Sequence, residues 1–341
     1  MLDKKYSCIR EMLEDEERRT LSPYACCAAD SRGREREEAK CDIRTDFQRD
    51  RDRILHSKSF RRLKQKTQVF LDPEGDHYRT RLTHTLEVSQ IGRTISKALR
   101  LNQDLTEAIA MGHDLGHTPF GHSGEAVLNK VCKGGFIHSD QSVRVIEVLE
   151  KNGNGLNLTW EVRDGIKNHQ TEGNPATLEG KVVRISDKIA YLNHDVDDAI
   201  RAGLLVEEDL PITLRKTLGM NCHDRLNSLI HDIIINPIDR DDVILTDEYM
   251  QAMQELRKWM FKHIYSGESE AKNQEKKAQQ MIKLLFDYYM SNPEKMTAEY
   301  LNSIGKGTPK ETAVCDYISG MTDNYAIEKF EELFVPVGWR Y

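Results

Sequence analysis

Long hydrophobic runs are missing from this 341-residue sequence. No apolar stretch approaches the roughly 18 residues needed to cross a bilayer, and the start MLDKKYSCIREMLEDEERRT is too charged for the apolar region of a secretory signal. Hydrophobic residues make up 38% of the chain and charged residues 31%. The composition predicts a soluble, cytoplasmic protein with no membrane partner, long enough for one large domain or two ordinary ones.

Cysteine is sparse, and its spacing shows no pairing motif. The seven cysteines are odd in number and contain no C-x-x-C pair. This pattern excludes a small disulfide-stapled scaffold and predicts that the cysteines are reduced thiols.

An overall excess of positive charge is also absent, since the formal net charge is −7. The balance reverses locally between Arg44 and Lys66, where nine Lys and Arg accompany three Asp. Such a concentration of cations could serve phosphate groups. A solvated helical face with i,i+4 ion pairs would give the same pattern, and both interpretations stay open.

Strand-like alternation is scarce, and most long segments carry helical periodicity. In RLTHTLEVSQIGRTISKALRL, apolar residues recur at near-helical spacing and predict a helix over residues 81–100. The next helix is capped by Asn102 or Asp104 and runs into HDLGH before TPFG breaks it. Further predicted helices begin near Ser123, after Ser139 as N-cap, and over residues 178–205. The sequence therefore predicts an all-α fold.

The stretch HDLGHTPFGHSGE, residues 113–125, concentrates histidine and carboxyl side chains. On a helix, His113 and His117 would share one face, with Asp114 about 100° around it. His84 and Asp187 interrupt the apolar patterns of two flanking helices. Buried imidazoles and carboxylates need partners, and one divalent cation would satisfy all of them.

Together these side chains form a two-His, two-Asp set suited to Mn, Fe, Ni, Mg or Zn. Taken singly, each would be more simply a satisfied core or cap residue. Their combination favours a single divalent metal ion as cofactor. The predicted metal ligands are His84, His113, Asp114 and Asp187.

The long predicted helix adds a polar stripe opposite an apolar face. Asp187, Tyr191, Asp195 and Asp198 recur every three or four residues. A solvated face would look the same. A tyrosine between aspartates also suits a ring that stacks on a sugar while a carboxylate accepts from its hydroxyl.

These residues carry a close resemblance to the HD-domain phosphohydrolases, whose signature is H…HD…D. More narrowly, the chain resembles the bacterial dGTPase-like deoxynucleoside triphosphate (dNTP) triphosphohydrolases. The matching blocks run almost continuously from residue 29 to 205 and include FQRDRDRILHSKSFRRLKQKTQVF, LTEAIAMGHDLGHTPFGHSGE and ISDKIAYLNHDVDDAIRAGLL. The resemblance implies an HD-domain helical bundle over residues 44–240, preceded by an N-terminal arm, 1–43, and followed by a helical associated region, 241–341.

The resemblance also implies roles for individual residues. It assigns the same four metal ligands, and it gives His122, Glu125 and His117 to catalysis. The substrate-binding positions that it implies, together with the basic cluster, are Gln68, Arg61, Arg62, Arg81, His138, Lys188, Tyr191 and Asp195.

The implied reaction is hydrolysis of dGTP or other dNTPs to a deoxynucleoside and inorganic tripolyphosphate. Members of this family form homo-oligomers, and several bind a nucleotide activator at an interface, so both are expected here. Two alternatives stay open: a phosphomonoesterase or phosphodiesterase acting on other nucleotides, and a protein that senses nucleotides or single-stranded nucleic acid.

Overall fold

The computed structural model describes residues 6–68, 79–236, 242–265, 270–336 and 338. Helices dominate these residues, which contain no strand and only two isolated β-bridges. The predicted all-α class is confirmed. The α-helices are α1 (Ile9–Thr20), α2 (Asp46–Leu55), α3 (Lys58–Arg62), α4 (Arg81–Ala98), α5 (Gln103–Gly112), α6 (Gly121–Val131), α7 (His138–Arg144), α8 (Glu150–Gly153), α9 (Trp160–Lys167), α10 (Leu178–Arg201), α11 (Ile212–Leu218), α12 (Cys222–Ile235), α13 (Asp247–Met260), α14 (Glu270–Ser291), α15 (Ala298–Gly305), α16 (Lys310–Ser319) and α17 (Asp323–Phe334). Among the described residues, none of these helices is both long and apolar enough to span a membrane.

The chain divides into two compact units, each built from three separate segments. Unit 1 comprises Met1–His56, Thr83–His113 and Leu156–Gly267. Unit 2 comprises Ser57–Leu82, Asp114–Gly155 and Glu268–Tyr341. The domains predicted from the sequence are continuous ranges, whereas each of these units combines separate segments. The predicted boundaries therefore stay a prediction.

In unit 1, α5 packs against α2, α9 and α10. Leu105 and Ile109 of α5 are fully buried, as are Val183 and Ile189 on the apolar face of α10. Helix α10 also contacts α12 and α13. The apolar stripes predicted from periodicity therefore form the core that holds the polar residues of α10 in place.

In unit 2, α14 packs against α6, α16 and α17 around one hydrophobic cluster. Cys132 and Cys315 lie in this cluster and form a disulfide across a sequence separation of 183 residues. The prediction of seven reduced thiols is wrong for these two. Their pairing depends on the contact between α6 and the α14–α17 region, which cysteine spacing does not reveal.

The helix ends differ from the prediction at the histidine-rich stretch. Asn102 caps α5 as predicted, its side chain accepting from the backbone N–H of Asp104 and Leu105. The helix then ends at Gly112, so the shared helical face predicted for His113 and His117 is wrong. Glycine permits the turn that follows, because a Cβ on Gly116 would lie 2.2 Å from the backbone nitrogen of Ser142.

Helix α7 begins at His138, so Ser139 lies inside the helix and is not its N-cap. Helix α6 begins at Gly121, two residues before the predicted start. Helix α10 ends at Arg201, close to the predicted 178–205.

Candidate active site

In unit 1, two histidines face one carboxylate. His84 lies on α4, His113 directly follows α5, and Asp187 lies on α10. The Nε2 atom of His84 is 3.0 Å from Oδ1 of Asp187, and Nε2 of His113 is 3.8 Å from the same oxygen. These three predicted metal ligands are thus brought together within one unit.

The ring of His113 is oriented by its own helix. Its Nδ1 donates to the carbonyl oxygen of Ala110 at 2.7 Å, so in the neutral imidazole Nε2 carries the lone pair that a metal would use. Burial alone would raise the pKa of Asp187, but the hydrogen bond from His84 and the charges of His84 and His113 outweigh it and lower that pKa. An ionised carboxylate between two imidazole nitrogens is a donor set that fits a divalent ion.

Two more histidines adjoin this group. The ring of His169 lies 5.1 Å from that of His113, centroid to centroid, and its Nδ1 donates to Ile166 O at 2.7 Å. His194 of α10 contacts His84. His169 was not among the predicted site residues, because a lone histidine after α9 carries no spacing signal.

In unit 2, Asp114 contacts two cationic or polar partners. One of its oxygens lies 3.0 Å from Nη1 of Arg81, and the other lies 3.3 Å from Nε2 of His117. The ring of His117 stacks on that of His138 with centroids 3.7 Å apart. Asp114, His117 and His138 each present a ligand atom within 4.8 Å of the others.

Arg81 is 2% exposed, yet its Nε and Nη2 atoms have no hydrogen-bond acceptor among the described residues. A buried guanidinium left with unused donors is costly unless an anion accepts from it. The start of α6 lies beside it: Gly121 has φ +55°, and a Cβ there would lie 3.0 Å from Arg81 Nη2. A helix N-terminus and a guanidinium together favour a phosphate group.

Glu125 of α6 joins His122 and His138. Its carboxylate lies 3.2 Å from Nδ1 of His122, and it accepts from the backbone nitrogen and Nδ1 of His138 at 2.8 and 2.9 Å. Burial would raise the pKa of Glu125, but the hydrogen bonds from both histidines outweigh it and lower that pKa. The side chain of His122 is 59% exposed, so a substrate can reach it.

The neighbouring His117 is buried, and this burial, with the charge of Arg81, lowers its pKa well below the ordinary value. Its carbonyl oxygen accepts from Nζ of Lys66, a buried residue that also donates to Ser319 O at 2.7 Å. Burial lowers the pKa of Lys66 to about 7. No sequence pattern distinguishes Lys66 from the other cations of its segment.

The predicted sugar-facing residues of α10 lie in unit 1. Asp195 and Asp198 are 4% and 3% exposed, so the polar stripe of this helix is not a solvated face. Tyr191 and Lys188 are half-buried, and burial lowers the pKa of Lys188.

The remaining predicted substrate residues lie in unit 2. Gln68 is buried, and its backbone carbonyl oxygen would lie 3.6 Å from a Cβ on Gly121. Arg61 is exposed on α3. Arg62 lines a small cleft with Tyr300 and Asp316, so its surroundings differ from those of Arg81.

The arginines around α2 are paired with carboxylates. Arg44 contacts Asp52 at 2.6 Å, and Arg51 contacts Asp104 at 3.3 Å. Arg49 and Arg53 both contact Glu38. This part of the basic segment therefore follows the ion-pair interpretation.

The chain is similar to proteins of known families. The family described as HD domain matches residues 81–192, and the family described as Phosphohydrolase-associated domain matches residues 243–332. A deoxyguanosinetriphosphate triphosphohydrolase-like protein of Caldanaerobacter subterraneus subsp. tengcongensis is 59% identical over 331 residues, which cover 97% of each chain. Proteins of the same name from Clostridium perfringens and Desulfatibacillum aliphaticivorans are 51% and 47% identical, each over 96% of this chain and 98% of theirs. The chain belongs to the deoxyguanosinetriphosphate triphosphohydrolase-like family of HD-domain proteins.

Proposed function

We propose that this protein is a metal-dependent dNTP triphosphohydrolase that converts dGTP, and other dNTPs, to a deoxynucleoside and inorganic tripolyphosphate. The observation that carries the proposal is the pair of imidazole nitrogens of His84 and His113 directed at one oxygen of Asp187. The names of the relatives support a nucleoside triphosphate as substrate.

Three residues of unit 1, His84, His113 and Asp187, would hold the divalent ion, with Asp114 as fourth ligand. Asp114 is joined to His113 by a peptide bond, and HD is the family's signature pair. When bound, such an ion supplies Lewis-acid polarisation of a phosphate oxygen.

Phosphate binding falls to Arg81, His117 and His138. Arg81 offers the unused donors Nε and Nη2 beside the N-terminus of α6. Lys188 adds a further cation for the phosphates, and Arg61 and Arg62 stay as predicted phosphate binders. Fixed donors of this kind stabilise charge that grows on phosphoryl oxygens during the reaction.

His122 is the proposed general acid. Water forms a bond to the α-phosphorus and the bond from phosphorus to O5′ breaks, so O5′ leaves as an alkoxide unless it receives a proton. Glu125 accepts from Nδ1 of His122 and orients the ring, and we assign to the cationic ring the donation of a proton from Nε2 to O5′. The proton lost by the attacking water restores the cationic ring.

For the sugar, we assign Tyr191 to stacking, and Gln68 and Asp195 to the 3′-hydroxyl. Gln68 and Asp195 are buried polar side chains, which need hydrogen-bond partners.

The test is incubation of the purified protein with each dNTP, singly and mixed, with Mn²⁺ or Mg²⁺, and separation of products by anion-exchange chromatography. Tripolyphosphate with deoxynucleoside is the expected result. Orthophosphate released from a deoxynucleoside monophosphate, with dNTPs left intact, would instead favour the phosphomonoesterase alternative.

A further inference from the structure

His194 is a buried histidine of α10 that lies seven residues after Asp187. Seven residues are nearly two helical turns, so both side chains lie on the same face of α10. His84 meets both: its Nε2 is 3.0 Å from Asp187, and its Nδ1 is 3.3 Å from Nδ1 of His194. One imidazole therefore bridges two residues of α10.

The other ring nitrogen of His194 contacts a carboxylate. Its Nε2 lies 2.8 Å from Oε2 of Glu87, which is three residues after His84 on α4. His194 thus bonds two residues on one turn of α4. The series runs from Glu87, whose side chain is 39% exposed, through His194 to the buried His84.

The proton positions along this series follow from the proposed role of His84. A neutral imidazole that binds a metal through Nε2 carries its proton on Nδ1. His84 then donates from Nδ1 to Nδ1 of His194, which must accept. His194 therefore carries its own proton on Nε2 and donates it to Glu87. With a metal ion at Nε2 in place of the proton shared with Asp187, each remaining hydrogen bond from His84 outward has one donor and one acceptor.

We propose that His194 and Glu87 are positioning residues that fix the tautomer and ring orientation of His84 for metal binding. The proposal rests on the metal centre described under the proposed function and assigns it an outer layer. A carboxylate behind a ligating histidine raises the basicity of the ring, and removing such a partner typically weakens metal affinity by about 10- to 100-fold.

The test is titration of the full-length, metal-free protein with Mn²⁺, with free Mn²⁺ followed by its electron paramagnetic resonance signal. We expect His194→Ala to raise the dissociation constant by about 10- to 100-fold. His194→Asn should recover most of this loss, because the Asn carbonyl oxygen can accept at the position of Nδ1. Glu87→Gln should give a smaller increase than His194→Ala.

A purely structural role is tested by Asn193→Ala. Asn193 is the buried neighbour of His194 and accepts from Nε of Arg225 at 2.9 Å. This control should lower the melting temperature of the metal-free protein and leave Mn²⁺ affinity unchanged.

The outcomes separate this inference from the function beneath it. If His84→Ala loses Mn²⁺ affinity while His194→Ala and Glu87→Gln match the wild type, the positioning pair is wrong and the metal centre stands. If Asn fails to recover what Ala loses at residue 194, orientation through an acceptor is wrong. A wild-type protein that binds no Mn²⁺ overturns both the metal centre and the pair.

Discussion

At the scale of single residues, the environments of the histidines differ enough to separate their roles. His84 and His113 are buried in unit 1, whereas His122 is mostly exposed and bonded to Glu125 in unit 2. A general acid must reach its substrate, and a metal ligand must be held rigidly. Exposure and partners together therefore favour His122 as the acid.

We expect His122→Ala to lower kcat for dNTP hydrolysis by about 100-fold or more, because general acids usually contribute 10²-fold or more. Metal content, measured by elemental analysis, should be unchanged. His223→Ala, at an exposed histidine of α12, is the matched control and should keep wild-type kcat. Retention of more than about a tenth of kcat in His122→Ala would place the acid elsewhere.

Sequence patterns found the polar residues that interrupt an apolar stripe. They missed the charged residues that lie where charged residues are common. His84 and Asp187 are conspicuous because a charge or imidazole breaks a buried face. Glu87 and Lys66 are not, because exposed helical positions and basic clusters ordinarily carry such residues. Their contacts with His194 and the His117 carbonyl exist only once distant segments meet.

At the scale of elements, Asp323 at the start of α17 stabilises the turn before His122. Its Oδ1 accepts from the backbone nitrogen of Phe120 at 2.9 Å, and its Oδ2 accepts from the backbone nitrogen of Thr67 at 2.8 Å. Phe120 has φ +60°, a left-handed conformation that costs free energy in a residue with a Cβ. The carboxylate offsets this strain.

Asp323→Ala should lower the free energy of unfolding by about 2–4 kcal/mol, because two backbone donors lose their acceptor. It should also lower kcat, since His122 follows the turn. Urea denaturation and steady-state kinetics measure the two effects. Asp247→Ala removes an aspartate from the same position of α13 and should change both far less; equal effects would contradict the assignment.

A second element-level prediction concerns pH and Glu179, at the start of α10. Its Oε1 accepts from the backbone nitrogens of Cys26 and Asn102 at 3.0 and 2.9 Å, and burial raises its pKa to about 7. Because the folded pKa lies above the ordinary 4.5, its contribution to stability is full below pH 4.5 and is lost as pH rises through 7.

Glu179→Gln keeps an acceptor oxygen but cannot ionise. We expect the free energy of unfolding of the variant at pH 8 to exceed that of the wild type by up to about 3 kcal/mol. Between pH 5 and 8, the free energy of unfolding should fall less steeply in the variant. Urea denaturation across this range measures the difference. Glu16→Gln, at an exposed glutamate of α1, should follow the wild-type curve. A Glu179→Gln curve parallel to that of the wild type would show that Glu179 does not titrate in this range.

Helix positions were largely predictable, because apolar periodicity sets α4, α5 and α10 within a few residues. Helix ends at glycines were less predictable. The turn after Gly112 brings Gly116 close to the backbone of Ser142, a tertiary contact that helix propensity does not contain.

At the scale of the whole molecule, the disulfide between Cys132 and Cys315 joins segments far apart in sequence. Restricting the unfolded chain across such a long loop contributes about 2–5 kcal/mol. Reduction with a phosphine should therefore lower the free energy of unfolding by that amount. The Cys132→Ala/Cys315→Ala double variant should be insensitive to reductant.

Cys222→Ala is the control for this prediction, because Cys222 is not disulfide-bonded in the structure and its loss should leave the response to reductant intact. An intact mass showing seven alkylatable thiols before reduction would contradict the disulfide.

Homo-oligomerisation and a nucleotide activator stay predictions, which size-exclusion chromatography with light scattering, with and without dNTP, would address.

The packing of α6 against α14 limits how the protein can be shortened. The HD-matched stretch, residues 81–192, includes α6 with buried Val127 and Leu128 but excludes the helices that cover them. Excised alone, this stretch would present that apolar face to water and would favour aggregation. The HD-matched stretch is therefore not expected to fold by itself. A shortened protein must retain the C-terminal helices as well.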